Sequence, residues 1–253
     1  MKVLALIPAR MGSSRFPGKP MAKILGQPMI GHVYQRVAKS PLLDLAVVAT
    51  CDSEIFDYVE SIGGKAVMTA STHDRASDRC AEALLKLEQE EDSRYDIVVM
   101  VQGDEPMTHP DMIAEAVNPM LADPTIQVTN LLGEIRSTEE FEDRNCIKVV
   151  CDLKGNALYF SREPIPTRSK VSQIPMGKQV CIIPFRRDFL LQYTQLSPTP
   201  LEIAESVDMM RVLEHGYKVR MVPTVHDSHA VDTPRDLVKV ETLMQSMLTS
   251  LVR

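Results

Sequence analysis

The sequence predicts an α/β fold whose mostly parallel sheet is covered by helices on both faces. Two observations carry that expectation. Apolar runs of strand length recur along the chain, and amphipathic segments of helical period fall between many of them. Size agrees: 253 residues with 44% hydrophobic content bury a sizeable core, and an α/β domain of about this length can be one unit.

The strands expected in order are residues 3–7, 45–49, 65–68, 97–101, 127–132, 147–151, 180–184 and 219–222. Their near-continuous apolar character suits strands buried on both faces. The first run resembles a secretion signal superficially, but Pro8 and Arg10 break it and no small-residue cleavage site follows. It reads as a buried strand. Helices are expected at 29–39, 53–62, 77–91, 110–121, 201–214 and 234–251. Between Gly155 and Lys178 the pattern changes: residues 162–177 are rich in proline, serine and charge and read as a loop or arm. The stretch 148–160 beside it reads as a strand pair projecting from the main sheet. The organisation expected is one domain over 1–253 with a distinct subregion at 147–185.

Composition narrows the function. A net charge of −6 argues against a general nucleic-acid binder. No apolar run approaches the roughly eighteen residues of a membrane span, so no membrane insertion is expected. Five scattered cysteines (Cys51, Cys80, Cys146, Cys151, Cys181) lack CxxC spacing and fit reduced thiols in a cytoplasm.

The densest chemistry follows the first strand. Arg10, Arg15 and Lys19 put three cations into ten residues, interleaved with Gly12, Ser13, Ser14 and Gly18. Small residues let backbone N–H groups approach an anion, and the cations neutralise it. Arginine adds bidentate contacts to phosphate oxygens, and lysine a compact charge. A triphosphate needs such a loop. It is not a Walker loop, because Gly12 and Gly18 stand one residue too far apart and Lys19 precedes Pro20; nor is there a GxGxxG fingerprint.

Two acids sit where a parallel sheet places its ligands, beyond a strand's carboxyl end. Asp104 follows the 97–101 strand in Gln102-Gly103-Asp104-Glu105-Pro106, and Asp232 stands in Val231-Asp232-Thr233-Pro234. Each alone also reads as a helix cap: Asp104 for a segment near Thr108, and Asp232 or Thr233 for the last helix. As a pair they suit Mg2+, which takes one or two carboxylates plus substrate phosphates. His229, three residues before Asp232, reads as a structural histidine.

The opening segment LIPARMGSSRFPGKPMAKILGQPMIGHV resembles that of the sugar nucleotidyltransferases, and in particular the CMP-Kdo synthetases (3-deoxy-manno-octulosonate cytidylyltransferases). VQGDEP and VDTPxDL match that family's signatures, and the likeness runs from Val3 to about Lys239 with the motifs in order. The resemblance implies a three-layer, Rossmann-like nucleotidyltransferase fold. It implies that Arg10, Arg15 and Lys19 hold the CTP phosphates, with Ala9 near the base. Asp104 and Asp232 become the magnesium ligands, and Gln102 lies close to nucleotide and sugar. Arg10, Lys19, Asp104 and Asp232 form the implied catalytic set. The reaction implied is attack by the anomeric hydroxyl of an acidic 2-keto sugar on CTP, for lipopolysaccharide or surface polysaccharide synthesis. A homodimer contacting through the 147–185 subregion is implied as well.

Other motifs match less evenly. The family reads H-x-S-G-T-[DE]-R at the nucleotide turn; this chain keeps His73, Asp78 and Arg79 but has Arg75-Ala76-Ser77 in place of Ser-Gly-Thr. His73 and Arg79 remain implied nucleotide residues. The stretches 147–152 and 157–166 match the family well, and by that resemblance Arg162 is the first candidate for the sugar carboxylate, which a guanidinium fork fits, with Arg168 the second. The family's H-[IL]-G-[IV]-Y strand becomes Gln179-Val180-Cys181-Ile182-Ile183, and its glutamate-glutamine pair becomes Asp208-Met209. Asp208 is kept as a sugar candidate. Polar groups replaced by apolar ones change which hydroxyls are read. The alternatives are a different sugar or base, or an inactive relative that only binds.

Overall fold

The computed structural model describes residues 1–13, 15–168 and 176–251. Ser14 and the centre of the expected arm, 169–175, lie outside the described residues. The chain forms two compact units: Met1–Ile113 with the segment from Ser228 onward, and Ala114–Asp227 between them. The second is thus an insertion in the first along the chain.

The first unit opens with β1 (Val3–Ala9), buried at every position. A short 3-10 turn at Lys19–Met21 leads to a hairpin, β2 (Lys23–Ile24) and β3 (Gln27–Pro28). Then come α1 (Met29–Val37), β4 (Leu45–Thr50), α2 (Ser53–Ser61), β5 (Ala66–Met68), α3 (Ala76–Glu91) and β6 (Ile97–Val101). Strands β6, β1, β4 and β5 lie side by side in that order, each pair parallel. Helices α1, α2 and α3 pack against them. Strands β1, β4 and β6 are apolar and almost wholly buried, as strands covered on both faces are, and the crossover helices supply the cover. The boundary between the units falls within α4 (Pro110–Ala122).

The second unit holds β7 (Thr129–Glu134), α5 (Thr138–Glu142), β8 (Lys148–Cys151), β9 (Ala157–Ser161), β10 (Gly177–Val180), β11 (Ile182–Arg186), α6 (Arg187–Tyr193), α7 (Pro200–Glu205), α8 (Asp208–Glu214) and β12 (Arg220–Pro223). Its sheet runs β12-β7-β10-β8-β9. Only β12 and β7 pair parallel there; the other neighbours are antiparallel. The parallel character expected for the whole chain is therefore concentrated in the first unit. For β8 and β9 the reason is connection length. β8 and β9 are joined by a tight turn in which the Asp152 carboxylate accepts the amides of Lys154 and Asn156, each at 2.8 Å. A turn that short permits only an antiparallel pair.

The expected helix at 201–214 is two helices. Ser206 between α7 and α8 adopts φ 52° and ψ 49°, a left-handed conformation that stops α7. The last helix, α9 (Pro234–Leu251), returns to the first unit. Val240 and Met244 of α9 join Ile24, Met29, Met107 and Val231 in a buried cluster. Glu241 accepts the Leu25 amide at 2.7 Å, tying α9 to the β2–β3 turn.

Candidate active site

The basic loop leaves β1 at Ala9, which is buried. Its path is set by two contacts of its backbone. The Met11 amide donates to the Asp52 carboxylate at 2.8 Å, and the Gly18 amide returns to the Met11 carbonyl at 3.0 Å. Gly18 sits at φ 71°, open to glycine at little cost, and the 3-10 turn starts directly after it with Pro20 inside. Lys19, first in that turn, has a largely buried ammonium, whereas the Arg15 side chain is half exposed.

Lys19 faces both predicted acids. Its Nζ lies 2.6 Å from Asp104 Oδ2 and 3.6 Å from Asp232 Oδ1, and Arg15 donates to the same Asp232 oxygen at 2.7 Å. Residues 85 and 213 positions from Lys19 along the chain thus meet at one ammonium. The local structure explains how. Gly103 brings the loop after β6 so close to β1 that an added Cβ would lie 2.9 Å from the Pro8 carbonyl oxygen. The Val231 amide donates to the Asp104 carbonyl at 2.9 Å, drawing in the second loop.

The capping readings resolve on the same observations. Thr233 and Asp236 cap α9 between themselves: Asp236 Oδ2 accepts the Thr233 amide at 2.7 Å, and Thr233 Oγ1 accepts the Asp236 amide at 3.4 Å. Asp232 is left to the cations. Asp104 points to Lys19, and α4 begins six residues later at Pro110. Burial, then the nearby Asp104 charge, push the Asp232 carboxyl above the usual range, while Lys19 and Arg15 oppose the shift. Two crowded carboxylates on a partly buried rim are oxygen donors of the kind a divalent cation takes.

The turn after β5 carries the other nucleotide candidates. His73 Nε2 pairs with the Glu82 carboxylate, and the His73 carbonyl accepts from Arg10 at 3.4 Å. Arg10 itself is exposed, 4.0 Å from Asp74. Arg79 is 2% exposed; it donates to Thr69 Oγ1, to the Ala70 carbonyl at 3.3 Å and to the His73 carbonyl at 3.5 Å. Gln102 is half-buried directly after β6. Arg75, the new cation, precedes α3 in extended conformation.

The sugar candidates lie in the second unit. Arg162 spends Nε on the Glu205 carbonyl, Nη1 on the Arg144 carbonyl at 2.9 Å and Nη2 on the Ser206 carbonyl at 3.3 Å. It braces the end of β9 against the break between α7 and α8. Asp208 opens α8, and its carbonyl accepts the Tyr193 hydroxyl at 3.1 Å. Arg168 lies over the Phe141 ring, 4.2 Å from its centroid. In place of the altered histidine, Gln179 Nε2 donates to Asn130 Oδ1 at 2.6 Å.

The family model for cytidylyltransferases matches residues 4–220. The chain is 44% identical over 251 residues to a 3-deoxy-manno-octulosonate cytidylyltransferase of Geobacter metallireducens, covering 95% of this chain and 96% of that one. It is 46% identical over 244 residues to the protein of the same name from Syntrophus aciditrophicus, covering 96% and 97%. The chain belongs to the CMP-Kdo synthetase family. Its fold agrees. The structure of a CMP:2-keto-3-deoxy-manno-octonic acid synthetase complexed with CTP superposes with a TM-score of 0.89 at 38% identity, over 98% of this chain and all of that one. The protein is thus a cytidylyltransferase with the expected nucleotidyltransferase fold.

Within this synthetase fold, sequence reasoning missed two carboxylates. Asp52, two residues past the end of β4, holds the entry of the basic loop through the Met11 amide. Glu82, in the second turn of α3, holds the turn after β5. The signal available for Asp52 was its place beyond a parallel strand. Glu82 carried none, since a glutamate in an amphipathic helix reads as solvent-facing.

Proposed function

We propose that this protein transfers CMP from CTP to the anomeric hydroxyl of an acidic 2-keto sugar, Kdo first among them, releasing pyrophosphate for lipopolysaccharide or surface polysaccharide synthesis. The observation that carries the reading is the meeting of Asp104 and Asp232 at the Lys19 ammonium, at the carboxyl ends of parallel strands.

Arg10, Arg15 and Lys19 hold the triphosphate and offset its charge, with Ala9 beside the base and His73, Arg79 and Gln102 shaping the nucleotide's surroundings. The sugar hydroxyl attacks the α-phosphorus in line, and the cations stabilise the departing pyrophosphate. Asp104 and Asp232 would hold Mg2+, which supplies charge compensation at the attacked phosphate. Lys19 and Arg15 neutralise those acids in the structure and turn to phosphate oxygens once the nucleotide is in place. Gln102, Arg162 and Asp208 are assigned to the sugar. The same reading includes a homodimer joined through 147–185 and a cytoplasmic enzyme, in keeping with five free cysteines.

A second reading, a different acidic sugar, is favoured by Gln179, whose amide is turned to Asn130 where the family has a histidine. Pyrophosphate release with magnesium tests both, with CTP, UTP, ATP and GTP each offered Kdo, an 8-amino analogue and sialic acid. CTP with Kdo supports the first reading; CTP with another acid sugar alone supports the second. Silence across the grid, with CTP binding intact, favours an untested acidic sugar or a relative that only binds.

A further inference from the structure

Helix α3 sends two opposite charges back onto one turn. Arg79 and Glu82 are three residues apart and so share a helix face. Arg79 takes acceptors: Thr69 Oγ1 and the carbonyls of Ala70 and His73. Glu82 takes donors: the Ala70 amide at 3.0 Å, His73 Nε2 and Lys86 Nζ at 2.8 Å. Ala70 is gripped at both ends of its backbone, its N–H by Glu82 and its carbonyl by Arg79. His73 is gripped through its ring by Glu82 and through its carbonyl by Arg79 and Arg10.

We propose that Glu82 is a positioning residue for nucleotide binding, which together with Arg79 clamps the 69–73 turn so that His73 and Arg10 are preset for CTP. The inference rests on the reading of that turn as part of the nucleotide site. Glu82 reaches no substrate itself in this scheme. Burial disfavours its charge, yet hydrogen bonds from Lys86, the Ala70 amide and His73 outweigh that and hold the carboxyl at about 2. It is therefore an anion at neutral pH. Charge-assisted bonds to two points of one turn make the turn a fixed object. Ordering it before the nucleotide arrives removes an entropic cost from binding.

The test is CTP affinity by calorimetry with magnesium, beside steady-state kinetics, for the wild type, E82Q, E82D, H73A and the E82Q/H73A pair. E82Q is expected to weaken CTP binding about tenfold, with KM for CTP rising and kcat and the sugar KM nearly unchanged. E82D, which keeps the charge, is expected to recover part of the loss. The double variant is expected to lose less than the sum of the two single losses, because Glu82 acts in part through His73. Melting curves keep the result readable if E82Q folds poorly; E82D then carries the comparison with the wild type. If H73A weakens CTP and E82Q does not, the clamp is refuted and the nucleotide reading stands. If neither variant alters CTP affinity, the nucleotide reading of the turn falls and the clamp falls with it. Equal rises in the CTP and sugar KM values would mark a general structural role and overturn the proposal.

Discussion

The Val231 amide donates to the Asp104 carbonyl at 2.9 Å. One backbone bond therefore fixes the distance between the loops that carry the two acids, independently of what their carboxylates bind. Substitution of either acid removes a charge and leaves the frame.

Asp104→Asn is accordingly expected to reduce turnover by about a hundredfold or more, since charge compensation at phosphorus is worth several kcal/mol. The Val231 bond uses only backbone atoms of Asp104, so the melting temperature should stay within a few degrees of wild type. Pyrophosphate release and thermal melting on one preparation check both halves. Wild-type turnover in this variant would remove Asp104 from the metal site.

Lys19→Ala should raise KM for CTP about tenfold or more, with a much smaller effect on the sugar. It also leaves Asp104 without its 2.6 Å partner. Crossed titrations of CTP and sugar measure the split, and a larger sugar effect would undo the assignment of the loop.

Gly103→Ala tests the approach of the two strand ends. The new Cβ would sit 2.9 Å from the Pro8 carbonyl oxygen, so backbone must move. A loss of about 1–3 kcal/mol is expected from such overpacking, together with lower turnover as Asp104 shifts. Chemical denaturation beside the activity assay measures both.

Acid stability should carry the mark of Glu82. Its carboxyl drops from an ordinary 4.5 to about 2 on folding. Between those values the folded chain binds fewer protons than the unfolded one. The stability contributed is complete above about 4.5 and drains away as pH falls toward 2. E82Q should therefore show a flatter loss of stability across that window, measured by denaturation at stepped pH.

Much of this architecture was legible because burial on both faces writes a plain signature. Residues 97–101 of β6 are apolar and buried throughout, and the expected bounds match. The break at Ser206 was not legible, because a serine at φ 52° carries no glycine or proline signal and the apolar period continues across it. Helix α6 was missed because seven residues, 187–193, show too little period to separate from a loop. At the site, Lys19 is legible from the dense charge of the loop after β1 and Asp104 from its place beyond β6, whereas Asp232, nine residues past β12, is legible only through the VDTPxDL signature. Arg79 was assigned to the nucleotide, and it lies buried against the turn it supports. No one-dimensional pattern distinguishes a cation that touches a ligand from one that holds the loop touching it.

The insertion of 114–227 between the two acids sets a timetable. A ribosome delivers Asp104 before the insertion, but Asp232 emerges only after the whole intervening unit has been made. Domains tend to fold in order of synthesis, so the nascent chain can present its basic loop and Asp104 long before the second acid exists. The pair assigned above to the metal closes only after the insertion has been made, with the helix that Thr233 and Asp236 cap. On the proposed reading of the two acids, a chain that stops anywhere within the insertion holds only one of them and is expected to turn over nothing.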